Sequence, residues 1–151
     1  LEYYYQKALD YGSEVFAERC IEGTEYSTGV LGEEVLPTLQ LETPRKFFDY
    51  EAKYVDSDTR MICPPKLTGE ELEELEDLIL RAYKGLRCKG LARVDVIREK
   101  GDGFHLLELN TIPGLTKHSF VPSALNAVGV SYDEMLLKIL QTEVEGIKDE
   151  T

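Results

Sequence analysis

Two short segments carry the residues best suited to chemistry: Ala92-Arg93-Val94-Asp95-Val96, and Leu106-Leu107-Glu108-Leu109-Asn110-Thr111-Ile112-Pro113-Gly114. Lys100-Gly101-Asp102-Gly103 lies between them, so the apolar runs on either side read as a β-hairpin. Closure on Gly101-Asp102 sets Asp95 opposite Glu108 and Arg93 opposite Asn110, and strand alternation sends all four side chains to one face. Carboxylates directly opposite one another repel unless a cation separates them. Two carboxylates and an amide oxygen are hard ligands of the kind Mg²⁺ takes, with substrate phosphates completing its octahedron. Arg93 beside them can neutralise charge developing on a transferring phosphoryl or acyl group. The same four residues also suit the solvated outer face of an ordinary hairpin.

Other candidates are weaker taken singly. The run Asn110 to Ser119 is either a tight strand-to-helix connection built on Pro113-Gly114 or an anion cradle, in which Ser119 and the free amides of the following helix take a carboxylate or phosphate. Lys53 and Tyr54 sit in a long loop, where a lysine can close over phosphates or simply face solvent. Glu18 and Glu25 flank Ile21-Glu22-Gly23-Thr24. They are ordinary surface acids, or acceptors for an adenine amino group and ribose hydroxyls at a hinge between two lobes.

These residues must be positioned by one modest core. The chain has 151 residues, of which 42% are hydrophobic and 30% charged, enough to bury a single core with room for a small appendage. Glu2 to about Gly12 reads as a helix and Glu14–Cys20 as a strand. Glu25–Leu31 and Glu34–Leu41 form a hairpin about Gly32-Glu33, and 42–66 is a long loop. Thr68 and Glu71 form a capping box for a helix with Leu72, Leu75, Leu78, Ile79, Ala82, Tyr83 and Leu86 along its buried stripe. Beyond the second hairpin, a short helix from Ser119 to Val128 stops at Gly129, and a last one runs from Asp133 to about Val144. The pattern is α+β, mostly antiparallel strands with helices packed on one side.

The net charge of −12 argues against a nucleic-acid backbone as partner. It does not argue against a nucleotide held by a few local cations and a metal. No apolar run is long enough to span a bilayer. Cys20, Cys63 and Cys88 are odd in number and widely spaced, as reduced thiols of a cytosolic protein are. The opening Leu1-Glu2-Tyr3-Tyr4-Tyr5, without Met, suggests a piece of a longer parent.

The motifs in their order resemble the D-alanine–D-alanine ligases of the ATP-grasp superfamily: Glu18 to Tyr26, Asp49-Tyr50-Glu51-Ala52-Lys53-Tyr54, Arg93-Val94-Asp95, Glu108 to Gly114, and His118-Ser119. The resemblance runs from about Val15 to about Leu140 and covers the C-terminal half of such an enzyme. It implies residues 1–20 as a remnant of the central lobe and 21–151 as the C-terminal ATP-grasp domain. It further implies Asp95, Glu108 and Asn110 as ligands of two Mg²⁺ ions (Mn²⁺ as a substitute), and Arg93 as the residue facing the acyl phosphate and tetrahedral intermediate. Lys53 and Tyr54 become the lid over the ATP phosphates. Glu18 and the backbone at Arg19 and Ile21 contact adenine, Glu25 the ribose, and Phe47 and Leu107 enclose the base. Gly114, Ser119 and the Phe120 amide hold the second D-alanine. The implied reaction joins two D-alanines with ATP hydrolysis for peptidoglycan synthesis, in the cytoplasm, by a parent that is a homodimer. Cys20 and Phe120 depart from the family's common residues, and the N-terminal domain and phosphate-binding lysines have no counterpart here, so the resemblance implies an inactive fragment. The rival readings are a carboxylate–amine ligase with another acceptor and a non-enzymatic acidic interaction domain.

Overall fold

In the computed structural model the described residues are 2–12, 14–43 and 60–148. Helix α1 (Glu2–Leu9) is followed by strands β1 (Gly23–Leu31), β2 (Glu34–Glu42) and β3 (Arg60–Ile62), and then by helix α2 (Gly69–Gly85). The hairpin β4 (Leu91–Glu99) and β5 (Phe104–Asn110) comes next, with helices α3 (Phe120–Ala127) and α4 (Tyr132–Lys148) last. The strands form one sheet in the order β3-β2-β1-β4-β5, every pairing antiparallel.

Alternation along β1 and β4 divides the core. Tyr26, Val30, Ala92, Val94 and Val96 meet Leu75, Ile79 and Tyr83 of α2. The intervening positions point the other way: Leu31 and Leu91 pack with Leu36, Val121, Leu125 and Met135, and Leu39 and Leu41 with Phe120 and Ala124. Helices therefore cover both faces of the sheet, not one as expected. Strands apolar on both sides have two faces to shield from water. The β1–β2 turn is gripped from each side, Glu33 by Lys84 of α2 and Glu34 by Lys138 of α4.

The α2 start follows the sequence closely. Thr68 Oγ1 accepts from the Glu71 amide at 3.3 Å, and the Glu71 carboxylate accepts from the Thr68 amide at 2.8 Å. Leu75 and Ile79 are fully buried, each stabilising the fold by about 1.5–3 kcal/mol relative to exposure. At the far end, Leu86 is the C-cap and is exposed, so the stripe stops one turn earlier than its periodicity suggests.

Two further expectations need correction. Residues 14–20 carry no strand, since a strand exists only with a neighbour to pair with. Arg60–Ile62 pairs with Gln40–Glu42 inside what reads as loop, a three-residue edge strand too short to show periodicity.

Candidate metal and nucleotide site

The β4–β5 pairing brings the four polar residues together by a route the sequence does not reveal. Asp95 lies opposite Glu108 and Arg93 opposite Asn110, as a two-residue turn requires. Nearer the turn, however, Val96 pairs with Leu106, Ile97 with His105 and Arg98 with Phe104. The loop is thus Lys100-Gly101-Asp102, Gly101 taking φ +82°, and the Glu99 amide donates to the Gly103 carbonyl at 3.2 Å. A bulge leaving Leu107 without a partner restores the register before Glu108.

On this face Arg93 holds Asp95 through both carboxylate oxygens, Nη2 to Oδ2 at 2.8 Å and Nε to Oδ1 at 3.0 Å. The same Nη2 reaches Glu108 at 3.1 Å. The guanidinium also lies over the Phe120 ring, 5.4 Å from its centroid, which fixes its plane from the α3 side. Asp95 is buried and Glu108 half open, so the pair presents one fixed and one adaptable carboxylate. Ser27, on β1 directly across from Asp95, donates its hydroxyl to Asp95 Oδ1 at 2.7 Å. Asn110 Oδ1 accepts from the Ile112 amide at 2.9 Å, orienting the amide as the chain leaves the sheet. Such carboxyl, carboxamide and hydroxyl oxygens fit a hard divalent cation.

Ser119 stands at the α3 N-cap but does not cap the helix. Its Oγ faces back into the preceding loop, accepting from the Thr116 amide at 3.1 Å and lying 2.9 Å from Thr116 Oγ1. A Cβ at Gly114 would come within 3.0 Å of that oxygen, so Gly114 lets the loop close on Ser119. The structure thus builds a compact loop there, the tight strand-to-helix connection that is the first of the two readings of this run.

At the turn end of the same face, Arg19 forms a bidentate pair with Glu99, 2.7 and 2.9 Å. This ties the segment bearing Glu18 and Ile21 to β4. The Arg19 bond and charge hold the Glu99 carboxyl below the usual range, with His105 adding to the effect. Glu99, Asp102 and His105 offer ligand atoms within 4.8 Å of one another, but Arg19 already occupies both Glu99 oxygens. Glu99 lies four positions along β4 from Asp95, roughly 13 Å of strand. Glu25 lies on β1 opposite Ile97, between the two ends. A cleft of about 630 Å³, bordered by Tyr26, Gln40, Lys66, Arg98 and Glu99, adjoins this end of the face. Lys66 is paired there with Glu42 and Arg98 with Glu71.

Lys53, Tyr54 and Phe47 lie outside the described residues. Leu107 is the bulge residue, and its side chain is exposed. Sequence reasoning missed Ser27; its signal was parity with Glu25 along β1, which gains meaning only once β1 is known to pair with β4. The cysteines form no disulfide, and no helix of the described residues is long and apolar enough to cross a membrane.

The family model described as D-ala D-ala ligase C-terminus matches residues 1–141. The D-alanine–D-alanine ligase of Alkalilimnicola ehrlichii is 49% identical over 134 residues, 89% of this chain and 43% of that protein. That of Buchnera aphidicola is 42% identical over 134 residues, with 89% of this chain and 44% of that protein covered. The chain thus spans less than half the length of these relatives. In three dimensions it is similar to the Bacillus anthracis D-alanine–D-alanine ligase complexed with ATP. The TM-score is 0.84 and the identity 27%, over 99% of this chain and 48% of that one. The VanG D-Ala:D-Ser ligase of Enterococcus faecalis aligns with TM-score 0.68 and 31% identity, over 83% of this chain and 37% of that one.

Proposed function

The chain belongs to the D-ala D-ala ligase C-terminus family, and on that premise we propose that it supplies the metal-phosphate half of a ligase that joins two D-alanines with ATP hydrolysis. The carrying observation is the row Ser27–Asp95–Glu108 with Arg93 laid along it. Asp95, Glu108 and Asn110 would hold the divalent cations, two Mg²⁺ or Mn²⁺ in their place. A cation bound there neutralises phosphate oxygens and so lowers the cost of attack on phosphorus and carbonyl carbon.

The chain's own residues do the rest. Arg93, its plane set by Phe120, places a fixed positive fork where an acyl phosphate oxygen would gather charge. Arg19 bound to Glu99 keeps Glu18 and Ile21 at one end of the face for adenine, and Glu25 lies between for ribose. Gly114 and Ser119 close on each other just before Phe120, whose ring lies over Arg93, and there, with the Phe120 amide, they would hold a second D-alanine by its carboxylate. Lys53 and Tyr54 would close over the phosphates, with Phe47 and Leu107 against the base.

Residues 1–20 we assign to the edge of a preceding lobe. Helix α1 buries no side chain, and Tyr3, Tyr4, Tyr11 and Phe16 are exposed, as expected of a piece whose packing partner lies elsewhere. The parent is proposed to act in the cytoplasm as a homodimer making peptidoglycan precursors, while the 151 residues alone lack catalytic competence. A ligase using D-serine as acceptor is the alternative suggested by the Enterococcus likeness, whose TM-score is lower than the Bacillus one.

Thermal melts with and without Mg²⁺ and ATP test this reading. The two together should raise Tm, because anything that binds only the folded state stabilises it, and Glu108→Gln should remove the rise. An unchanged rise in Glu108→Gln refutes the metal assignment, and no rise in the native chain favours the acidic interaction domain.

A further inference from the structure

We infer that Ser27 is a positioning residue for the metal carboxylate: its hydroxyl sets the orientation of Asp95 from the neighbouring strand. The inference rests on the metal reading above. Ser27 is 2% exposed and projects toward the side of the sheet that holds Leu39, Leu41 and Phe120. A buried hydroxyl among such neighbours is unfavourable unless it is hydrogen-bonded, and alanine would fill the position at less cost. Its bond is to Asp95 Oδ1, at 2.7 Å.

The next residue along β1 behaves differently. Thr28 and Thr38 are also buried, but on the α2 side, and they bond to each other at 2.8 Å. That pair satisfies itself and reaches no charged group. Ser27 instead directs its donor to a carboxylate that already has Arg93 as a partner.

The two donors are not equivalent. Arg93 reaches Asp95 by a long side chain whose Nη2 also contacts Glu108, so its hold is shared between two carboxylates. Ser27 has one side-chain torsion and is fixed by β1–β4 pairing on either side. Its proton lies on Oδ1, which leaves Oδ2 as the oxygen Asp95 shares with Glu108 through the Arg93 Nη2. The hydroxyl thereby holds the Asp95 carboxylate from the β1 side, with Oδ2 toward Arg93 and Glu108, where a cation would be held. Partners of this kind change metal affinity by about 10–100-fold when removed.

The test is Mn²⁺ binding to the 151-residue chain, read from the loss of free-ion electron paramagnetic resonance signal, beside melting curves in chelator. Ser27→Ala should bind Mn²⁺ about 10-fold more weakly, Ser27→Thr should bind like the native chain, and Asp95→Asn should show no specific site. Native-like binding by Ser27→Ala, with binding lost in Asp95→Asn, overturns the positioning role and leaves the metal reading standing. A melting shift in Ser27→Ala without an affinity change likewise overturns the positioning role. Native binding indistinguishable from Asp95→Asn overturns the metal reading and this inference with it.

Discussion

Replacing Arg93 with methionine should destabilise the chain by about 3 kcal/mol, a magnitude that follows from what Asp95 would lose. The two side chains are only 13% and 10% exposed, so solvent replaces little of the pairing. Hydrogen bonds to charged groups are each worth about 1.5–3 kcal/mol net, and a buried charge stripped of its partner costs about 3–5 kcal/mol. Two features place the expectation at the low end. Ser27 still donates to Oδ1, and the Glu108 contact contributes little because that carboxylate is 56% exposed. For a chain of this size the loss corresponds to a fall in Tm of roughly 6–12 °C. Urea unfolding followed by far-ultraviolet circular dichroism, with chelator present, gives the free energy directly. Adding Asp95→Asn to Arg93→Met should recover much of the loss, since no unpaired charge remains, and the cycle should show coupling of about 1.5–3 kcal/mol. A cost below about 1 kcal/mol with additive single changes would refute the reasoning, because Arg93 and Asp95 would then be neighbours without being partners.

Two further outcomes follow from the backbone and from charge. A Cβ at Gly23 would fall 2.0 Å from the Arg98 carbonyl oxygen, so Gly23→Ala should part the β1–β4 pairing at that end. It should cost about 2 kcal/mol for two lost ladder bonds, and amide exchange should quicken at Thr24 and Arg98; native protection there would count against it. Glu71 is held below the usual carboxylate range, first by the Thr68 amide and also by Arg98. Its folded value being lowered, its stabilisation is present above the ordinary carboxylate pKa and is lost as pH falls through the folded value. Glu71→Gln should therefore flatten the acid limb of stability against pH, and an unaltered limb in urea titrations would exclude this contribution.

The local parts of the fold were legible because their signals are local. The Thr68–Glu71 capping box, the α2 stripe through Leu75, Ile79 and Tyr83, and the stop at Gly129 each need only a few adjacent residues. The convergence of Arg93 and Asp95 on one face was legible for the same reason, since they share parity on one short strand. What remained hidden depends on distant pairing. That β1 lies beside β4, bringing Ser27 to Asp95, joins segments more than sixty residues apart. Val15-Phe16-Ala17 has strand-like residues but no strand to meet, and no periodicity tells which face of a doubly apolar sheet a given helix will cover. Spacing alone faces the Ser119 hydroxyl forward into a helix start, whereas Thr116 and the close approach of Gly114 turn it back.

The unpaired Leu107 has a consequence for how β5 serves two surroundings. In an unbroken register Phe104 would share a face with Glu99 and Asp95, and His105 would turn toward α2. The bulge inverts the phase of the turn-proximal half, so Phe104 stacks edge-on against Tyr26, 5.9 Å between centroids, while His105 comes 3.2 Å from Glu99. Beyond Leu107 the phase returns, and Glu108 and Asn110 keep the parity of Asp95 and Arg93. One segment answers to the hydrophobic core and the next to the charged row, and a single residue separates them. Were the turn-proximal register to run on without the bulge, Leu107 would stand opposite Asp95 and Glu108 would turn toward α2.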